Sequence, residues 1–377
     1  MDSGKIQFCP SLHQTRPCVL VAHPHFVPSI NSSPSSDLDM CIQLPPNTKL
    51  ADEGDVTGAQ AMAKLAELFE KGEMTDVNTE RLTARIPIVM FSCPRPMAIE
   101  GEDPMIECDI SMQNPLACLN TSLLLTYSQI HPVTRVLASI IKRWAKSRDI
   151  NSPSDHTLST YGYILMLLHF LTYHRRTSSG LVTTVENRHD RQSWTPLLPN
   201  LQWMDPNWPE SPPGTPYREL ATKPKQLMPH PLDQSDFMVN TYFYRLKDQN
   251  ALTQLQQRFP CQDLSMAILL ASFFRYYAFE FDYKRHVVSL NSTSLKIVER
   301  EAKAETDGWR LFGSGLAIED PFETFYDVAH VVKGSNYHRI RNEFALAYTK
   351  IVNAATGSSD KDLIDWICEP YVKAEED

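Results

Sequence analysis

From Asp37 to Leu44 the chain alternates with period two, which predicts a strand with Asp37 and Asp39 on one face and Leu38, Met40 and Ile42 on the other, closed by Pro45 and Pro46. The alternation returns from Met105 to Met112, where Glu107, Asp109 and Ser111 oppose Ile106, Cys108, Ile110 and Met112. Between the two, the β-rich run Arg85 to Phe91 predicts a third strand, and the spacing of Met62, Leu65, Leu68 and Phe69 predicts a helix over Val56 to Lys71 with Gly72 as its cap. After Asn114 the period becomes helical. Leu116 to Tyr127, Val133 to Arg148 and Leu158 to His174 read as helices, so an α+β module gives way to a helical one near residue 113. Further on, Leu264 to Phe281 predicts an aromatic-rich helix, Val287 to Leu290 a short strand and Tyr337 to Val352 a last helix.

The stretch Pro196 to Pro231 breaks this order, because ten prolines in 36 residues exclude continuous regular structure. It reads as the centre of an irregular insertion at about 176–260. With 377 residues, 42% hydrophobic and 21% charged, the chain is long enough for two or three domains and too apolar for global disorder. Its 13 glycines form neither GxGxxG nor GxxxxGK[ST], so phosphate must be held by another geometry. Eight scattered cysteines without a CxxC pair or a signal-peptide pattern read as reduced thiols. The longest apolar run, Tyr161 to Leu171, is about half the roughly 20 residues a membrane span needs. A cytoplasmic or nuclear protein without a membrane segment is expected. The net charge of −9 leaves any nucleic-acid contact to a local basic face.

Three features carry candidate chemistry. If the strands of Asp37, Asp39 and Asp109 are neighbours, three carboxylates converge, and hard divalent cations are the usual relief for such repulsion. Two magnesium ions so held could activate a hydroxyl and neutralise a leaving pyrophosphate. Lys142 and Lys146 lie four apart opposite the apolar Leu137, Ile140, Ile141 and Trp144, so both reach one side, either as a triphosphate clamp or as a solvated face. Tyr161 opens an apolar helix, either as core packing or as a platform for a base.

In order, SSDLDMCI (Ser35 to Ile42), ARIPIV (Ala84 to Val89), ECDIS (Glu107 to Ser111), NPLACLNTSLLLTY (Asn114 to Tyr127), IIKRWAKSRDINSP (Ile140 to Pro153), TLSTYGYILMLLHFL (Thr157 to Leu171), LLPNLQ (Leu197 to Gln202), FFRYYAFEFDY (Phe273 to Tyr283) and IEDPFE (Ile318 to Glu323) resemble the noncanonical poly(A) polymerases and terminal uridylyltransferases of the caffeine-induced-death type. The resemblance implies an α+β fold: a polymerase-beta-like nucleotidyltransferase domain with a small mixed sheet over 1–112, its N-terminus incomplete, and a helical central and poly(A)-polymerase-associated domain over 113–377, with the active site in the cleft between. It implies catalytic, metal-binding Asp37, Asp39 and Asp109 with Mg2+ or Mn2+. It places Asn120 and Thr121 at the ribose, Lys142, Lys146 and Thr160 at the triphosphate, Tyr161 under the base, and Asp320, Glu323 and Tyr326 in the base-recognition loop. Its partners are an NTP (ATP, UTP or CTP) and an RNA 3′ end. The implied reaction adds adenylate or uridylate without a template and releases pyrophosphate.

Two positions depart from the pattern. A Gly-Ser pair that holds phosphate in active members is replaced, counting back from Asp37, by His25 and Phe26. That loss favours weakened turnover or, as the alternative function, an RNA-binding scaffold. Tyr326 stands where uridylyl-specific members carry a histidine.

Overall fold

Alternation becomes a sheet because each strand has one face that must leave water. The computed structural model describes residues 19–24, 38–43, 58–94, 104–176, 182–184, 196–209, 223–229, 238–259, 265–291, 297–309, 315–357 and 362–372. Asp37, His25 and Phe26 lie outside the described residues. Five strands, β1 (Val19–Pro24), β2 (Leu38–Gln43), β3 (Thr75–Asn78), β4 (Ile88–Pro94) and β5 (Met105–Met112), form one mixed sheet in the order β1-β2-β5-β4-β3. Only the β2–β5 pair is parallel. The expected strand at Arg85 to Phe91 begins at Ile88 and continues to Pro94, because its ladder with β5 runs from Ile88 opposite Ser111 to Pro94 opposite Met105. Val89, Phe91, Cys108 and Ile110 pack with Met62 and Ala66 of α1 (Ala59–Glu70), and Leu38, Met40 and Ile42 join the same cluster. The apolar half of each alternation is therefore spent on α1.

The chain forms two compact units, residues 1–125 with 227–239, and residues 126–226 with 240–377. The division falls inside α2 (Pro115–Ile130). The second unit is built from α3 (Pro132–Ser147), α4 (Thr160–Tyr173), α5 (Gln249–Arg258), α6 (Met266–Arg275), α7 (Arg300–Asp307), α8 (Asn336–Ala355) and α9 (Leu363–Ile367), with short strand pairs between them. Trp144 of α3 meets Phe274 of α6 at 4.9 Å and Phe344 of α8 at 5.0 Å, ring centre to ring centre. From Gly162 to Tyr173, α4 is buried on every side, as an apolar helix must be.

The helix expected over Leu264 to Phe281 ends as an α-helix at Arg275 and widens into a π-turn over Tyr276–Glu280, closed by the Phe281 amide on the Tyr276 carbonyl at 2.8 Å. The wider turn puts Tyr276, Tyr277 and Ala278 into the core together. Inside the segment read as an insertion, Leu197, Leu198, Leu201 and Gln202 are fully buried, and the Leu197 and Leu198 amides bond the carbonyls of His174 and Leu171. This stretch is core with no more regular structure than one short 3-10 turn, Leu201–Trp203. No described helix is long and apolar enough to cross a membrane.

Candidate active site

In the first unit, β2 and β5 run side by side with Asp39 directly opposite Asp109. Asp39 is exposed and Asp109 partly exposed, while two residues along the same face Cys41 and Ser111 are buried. The change comes from α2. The Asn114 amide meets Cys41 Sγ at 3.4 Å, and Gln43 Nε2 donates to Cys41 Sγ at 2.9 Å and Cys118 Sγ at 3.6 Å, so the start of α2 lies over the Cys41 end of the face. The carboxylate end stays open.

The junction that aims α2 is short. The Gln113 amide extends the ladder onto the Ile42 carbonyl at 2.8 Å, Gln113 adopts a left-handed φ of 51°, and Asn114 Oδ1 caps the helix by accepting from the Ala117 amide at 3.2 Å. Asn120 and Thr121 follow within two turns, both partly buried, with the Thr121 hydroxyl donated back to the Ala117 carbonyl at 3.0 Å. Among the described residues no three His, Cys, Asp or Glu side chains group as a metal site. Asp39 and Asp109 do present the oxygen donors a hard divalent cation takes.

In the second unit α3 buries Leu137, Ala138, Ile141, Trp144 and Ala145 and carries Lys142, partly buried, and Lys146, exposed, on its other side. Arg148 fixes its end by forking onto Glu343, Nε to Oε2 at 2.7 Å and Nη2 to Oε1 at 3.1 Å, and by donating to the Glu369 carbonyl at 2.7 Å. Thr160 and Tyr161 open α4, whose cap is the Ser159 hydroxyl accepting from the Gly162 amide at 3.2 Å. Asn151, which sequence reading did not single out, donates from Nδ2 to Thr160 Oγ1 at 2.9 Å and so holds that hydroxyl in place. Its only signal was its place between the two lysines and Thr160 in the chain.

Tyr161 and the Asp320 turn are brought together. The Tyr161 hydroxyl donates to Asp320 Oδ2 at 2.9 Å, and Asp320 Oδ1 accepts the Phe322 and Glu323 amides, each at 2.9 Å. The Tyr326 amide donates to the Glu323 carbonyl at 2.7 Å, and the Asp320 amide to the Tyr326 carbonyl at 3.2 Å, so the three residues share one tight turn. Burial raises the Asp320 carboxyl above its usual range despite those donors. Burial, then the neighbouring Asp320 charge, raises the Tyr161 phenol well above its ordinary value.

Comparison with known proteins bears on both units. The central palm domain of the mitochondrial-like poly(A) RNA polymerase family matches residues 28–129, and the Cid1 family poly A polymerase domain matches residues 265–324. Terminal uridylyltransferase cid1 of Schizosaccharomyces pombe is 28% identical over 331 residues, covering 85% of this chain and 65% of its own length. Poly(A) RNA polymerase GLD2 of Homo sapiens is 26% identical over 274 residues, covering 72% of this chain and 43% of its own. The chain thus spans less than two thirds of either relative. Among solved structures, the Cid1 poly(U) polymerase with magnesium and 3′-dATP aligns at a TM-score of 0.60 and 25% identity, over 94% of this chain and 86% of that one. Cid1 with the UTP analogue UMPNPP aligns at 0.59 and 25%, over 94% and 86%. The fold is the polymerase-beta-like nucleotidyltransferase fold with a helical partner.

Proposed function

We propose that this chain, a homologue of the Cid1 and GLD2 polymerases that carries their palm and associated domains, is a template-independent RNA 3′-terminal nucleotidyltransferase adding adenylate or uridylate and releasing pyrophosphate. The observation that supports this most is the parallel register of Asp39 with Asp109 at the open end of a buried sheet face. With Asp37, two positions earlier in the alternation, these carboxylates would hold Mg2+, which when bound supplies charge neutralisation at the reacting phosphate.

The chain's own groups divide the remaining work. Asp109 accepts the proton of the RNA 3′-hydroxyl as that oxygen attacks the α-phosphate in line with the departing pyrophosphate. Asn120 and Thr121 orient the ribose. Lys142 and Lys146 hold triphosphate oxygens with compact charge, and Thr160, whose hydroxyl is oriented by the Asn151 amide, assists them. Tyr161 stacks on the base, and Asp320, Glu323 and Tyr326 line its edge. The protein is proposed to act in the cytoplasm or nucleus.

The test is extension of a labelled RNA primer with each NTP supplied separately, with pyrophosphate measured alongside. An A or U ladder with equimolar pyrophosphate is expected. NTP and RNA binding with no extension for any NTP overturns the enzyme in favour of an RNA-binding scaffold.

A further inference from the structure

The second unit contains a cluster of buried charge that none of these roles uses. Lys303 on α7 is 5% exposed and Glu319 3% exposed. Lys303 Nζ donates to Glu319 Oε1 at 2.7 Å and to the Thr324 carbonyl at 2.7 Å, and it also pairs with Asp307. Trp309 Nε1 donates to the same carbonyl at 2.9 Å. Glu319 immediately precedes Asp320, and Thr324 immediately follows Glu323. One ammonium group therefore grips both ends of the Asp320–Glu323 turn.

The middle of that turn is held by other side chains. The Pro321 carbonyl accepts from Gln202 Nε2 at 2.7 Å and from Asn291 Nδ2 at 3.1 Å. Asn291 Oδ1 accepts from Lys223, which the proline-rich segment supplies, and the Ser289 hydroxyl donates to Glu319. Burying Lys303 and Glu319, with Lys223 half-buried beside them, costs desolvation that apolar residues would avoid, so stability alone is a poor reason for such a cluster. A turn whose Pro321, Glu323 and Thr324 carbonyls and flanking carboxylate are engaged is held to one geometry, which is what discrimination between bases needs.

We propose that Lys303 is a positioning residue for base selection, acting through Glu319 and the Thr324 carbonyl on the turn that carries Asp320 and Glu323, and that Lys223 braces the same turn through Asn291. The inference rests on the reading of Asp320 and Glu323 as base-recognition residues. It makes the proline-rich segment part of the specificity apparatus, because Lys223 comes from it.

The test compares the full chain with Lys303→Met, Lys303→Arg and Lys223→Met. For each, kcat and KM are measured with ATP, UTP, CTP and GTP on one primer, together with Kd for the non-hydrolysable analogues UMPNPP and AMPNPP and the thermal midpoint. Lys303→Met is expected to raise KM for the preferred NTP about tenfold and to narrow the preference over the poorest NTP by a similar factor. Its kcat at saturation should stay within about threefold of the parent, and Lys303→Arg should recover most of the preference. Lys223, partly exposed, gives a variant that tolerates replacement better, and Lys223→Met should narrow the preference about threefold. Unchanged preference in a folded Lys303→Met overturns the proposal, and if that variant does not fold, unchanged preference in Lys223→Met does so. A parent chain that neither extends RNA nor distinguishes the two analogues sinks the functional reading instead.

Discussion

The Tyr161 hydroxyl donates to Asp320 Oδ2 across 2.9 Å, so the first turn of α4 and the turn before Tyr326 form one hydrogen-bonded piece. Tyr161→Phe keeps the ring and removes the donor, taking one hydrogen bond away from a buried carboxylate at a cost of about 1–3 kcal/mol. KM for the preferred NTP should rise about tenfold with little change in kcat. Tyr161→Ala also removes the stacking surface and should raise KM further. Steady-state kinetics on a fixed primer decides, and equal kinetics for Phe and Ala would mean that the ring touches no base.

Asp39 and Asp109 face each other on the open end of β2 and β5 and belong to no apolar cluster. Asp39→Asn and Asp109→Asn should each lower single-turnover extension by about 10²–10³ or more. The melting temperature should hold or rise slightly, since each change removes one of two like charges at close range. A large fall in both activity and melting temperature would mark a structural pair instead.

Lys142 and Lys146 sit on the side of α3 away from Leu137, Ile141 and Trp144. Replacing both with alanine should weaken NTP binding by about 10-fold to 100-fold while leaving thermal unfolding unchanged, because Lys146 is exposed and Lys142 only partly buried. Fluorescence titration with a labelled NTP measures it. Unchanged affinity would make the pair a solvated face.

Two core histidines set a pH limit on the fold. Burial pushes His169 down to about 4 and His174 to about 3, from an ordinary value of 6.5. The unfolded chain therefore binds more protons than the folded one as pH falls below 6.5, and stability that is complete above that pH declines down to the folded values. Shifts of this size are worth several kcal/mol in total. Thermal unfolding at pH 7, 6, 5 and 4.5 should show a falling midpoint, and His174→Phe, which keeps an aromatic ring beside Phe170 and Tyr276, should flatten the fall.

Local pattern carried much of this architecture. The alternation around Asp39 and Asp109 was readable because the opposite faces bury Leu38, Met40, Cys108 and Ile110 against α1. The amphipathic spacing of α3 and the uniform apolarity of α4 were readable for the same reason. Sheet order was not, since nothing within a strand says that β5, far along the chain from β2, inserts beside it with Cys108 opposite Leu38. The helix α7 escaped because the residues it buries are Arg300 and Lys303, which a hydrophobic pattern scores as surface. The helix α5 buries only Ala251 and Leu255, too little periodicity to stand out after a run of prolines. Sequence reading found the groups proposed to touch the nucleotide and missed Asn151 and Lys303, whose partners lie in other elements.

Only Gln113 and Asn114 lie between the end of β5 and the start of α2. Both are committed, Gln113 to a left-handed turn that extends the ladder and Asn114 to the helix cap. The junction works as a phase lock between a two-residue repeat and a 3.6-residue one. One added or deleted residue would turn α2 by about 100° relative to the sheet unless the cap or the last ladder bond were given up. Asn120 and Thr121, carried on that helix, would turn with it. Change in this part of the chain is thereby confined to replacing side chains, and length variation has to fall elsewhere.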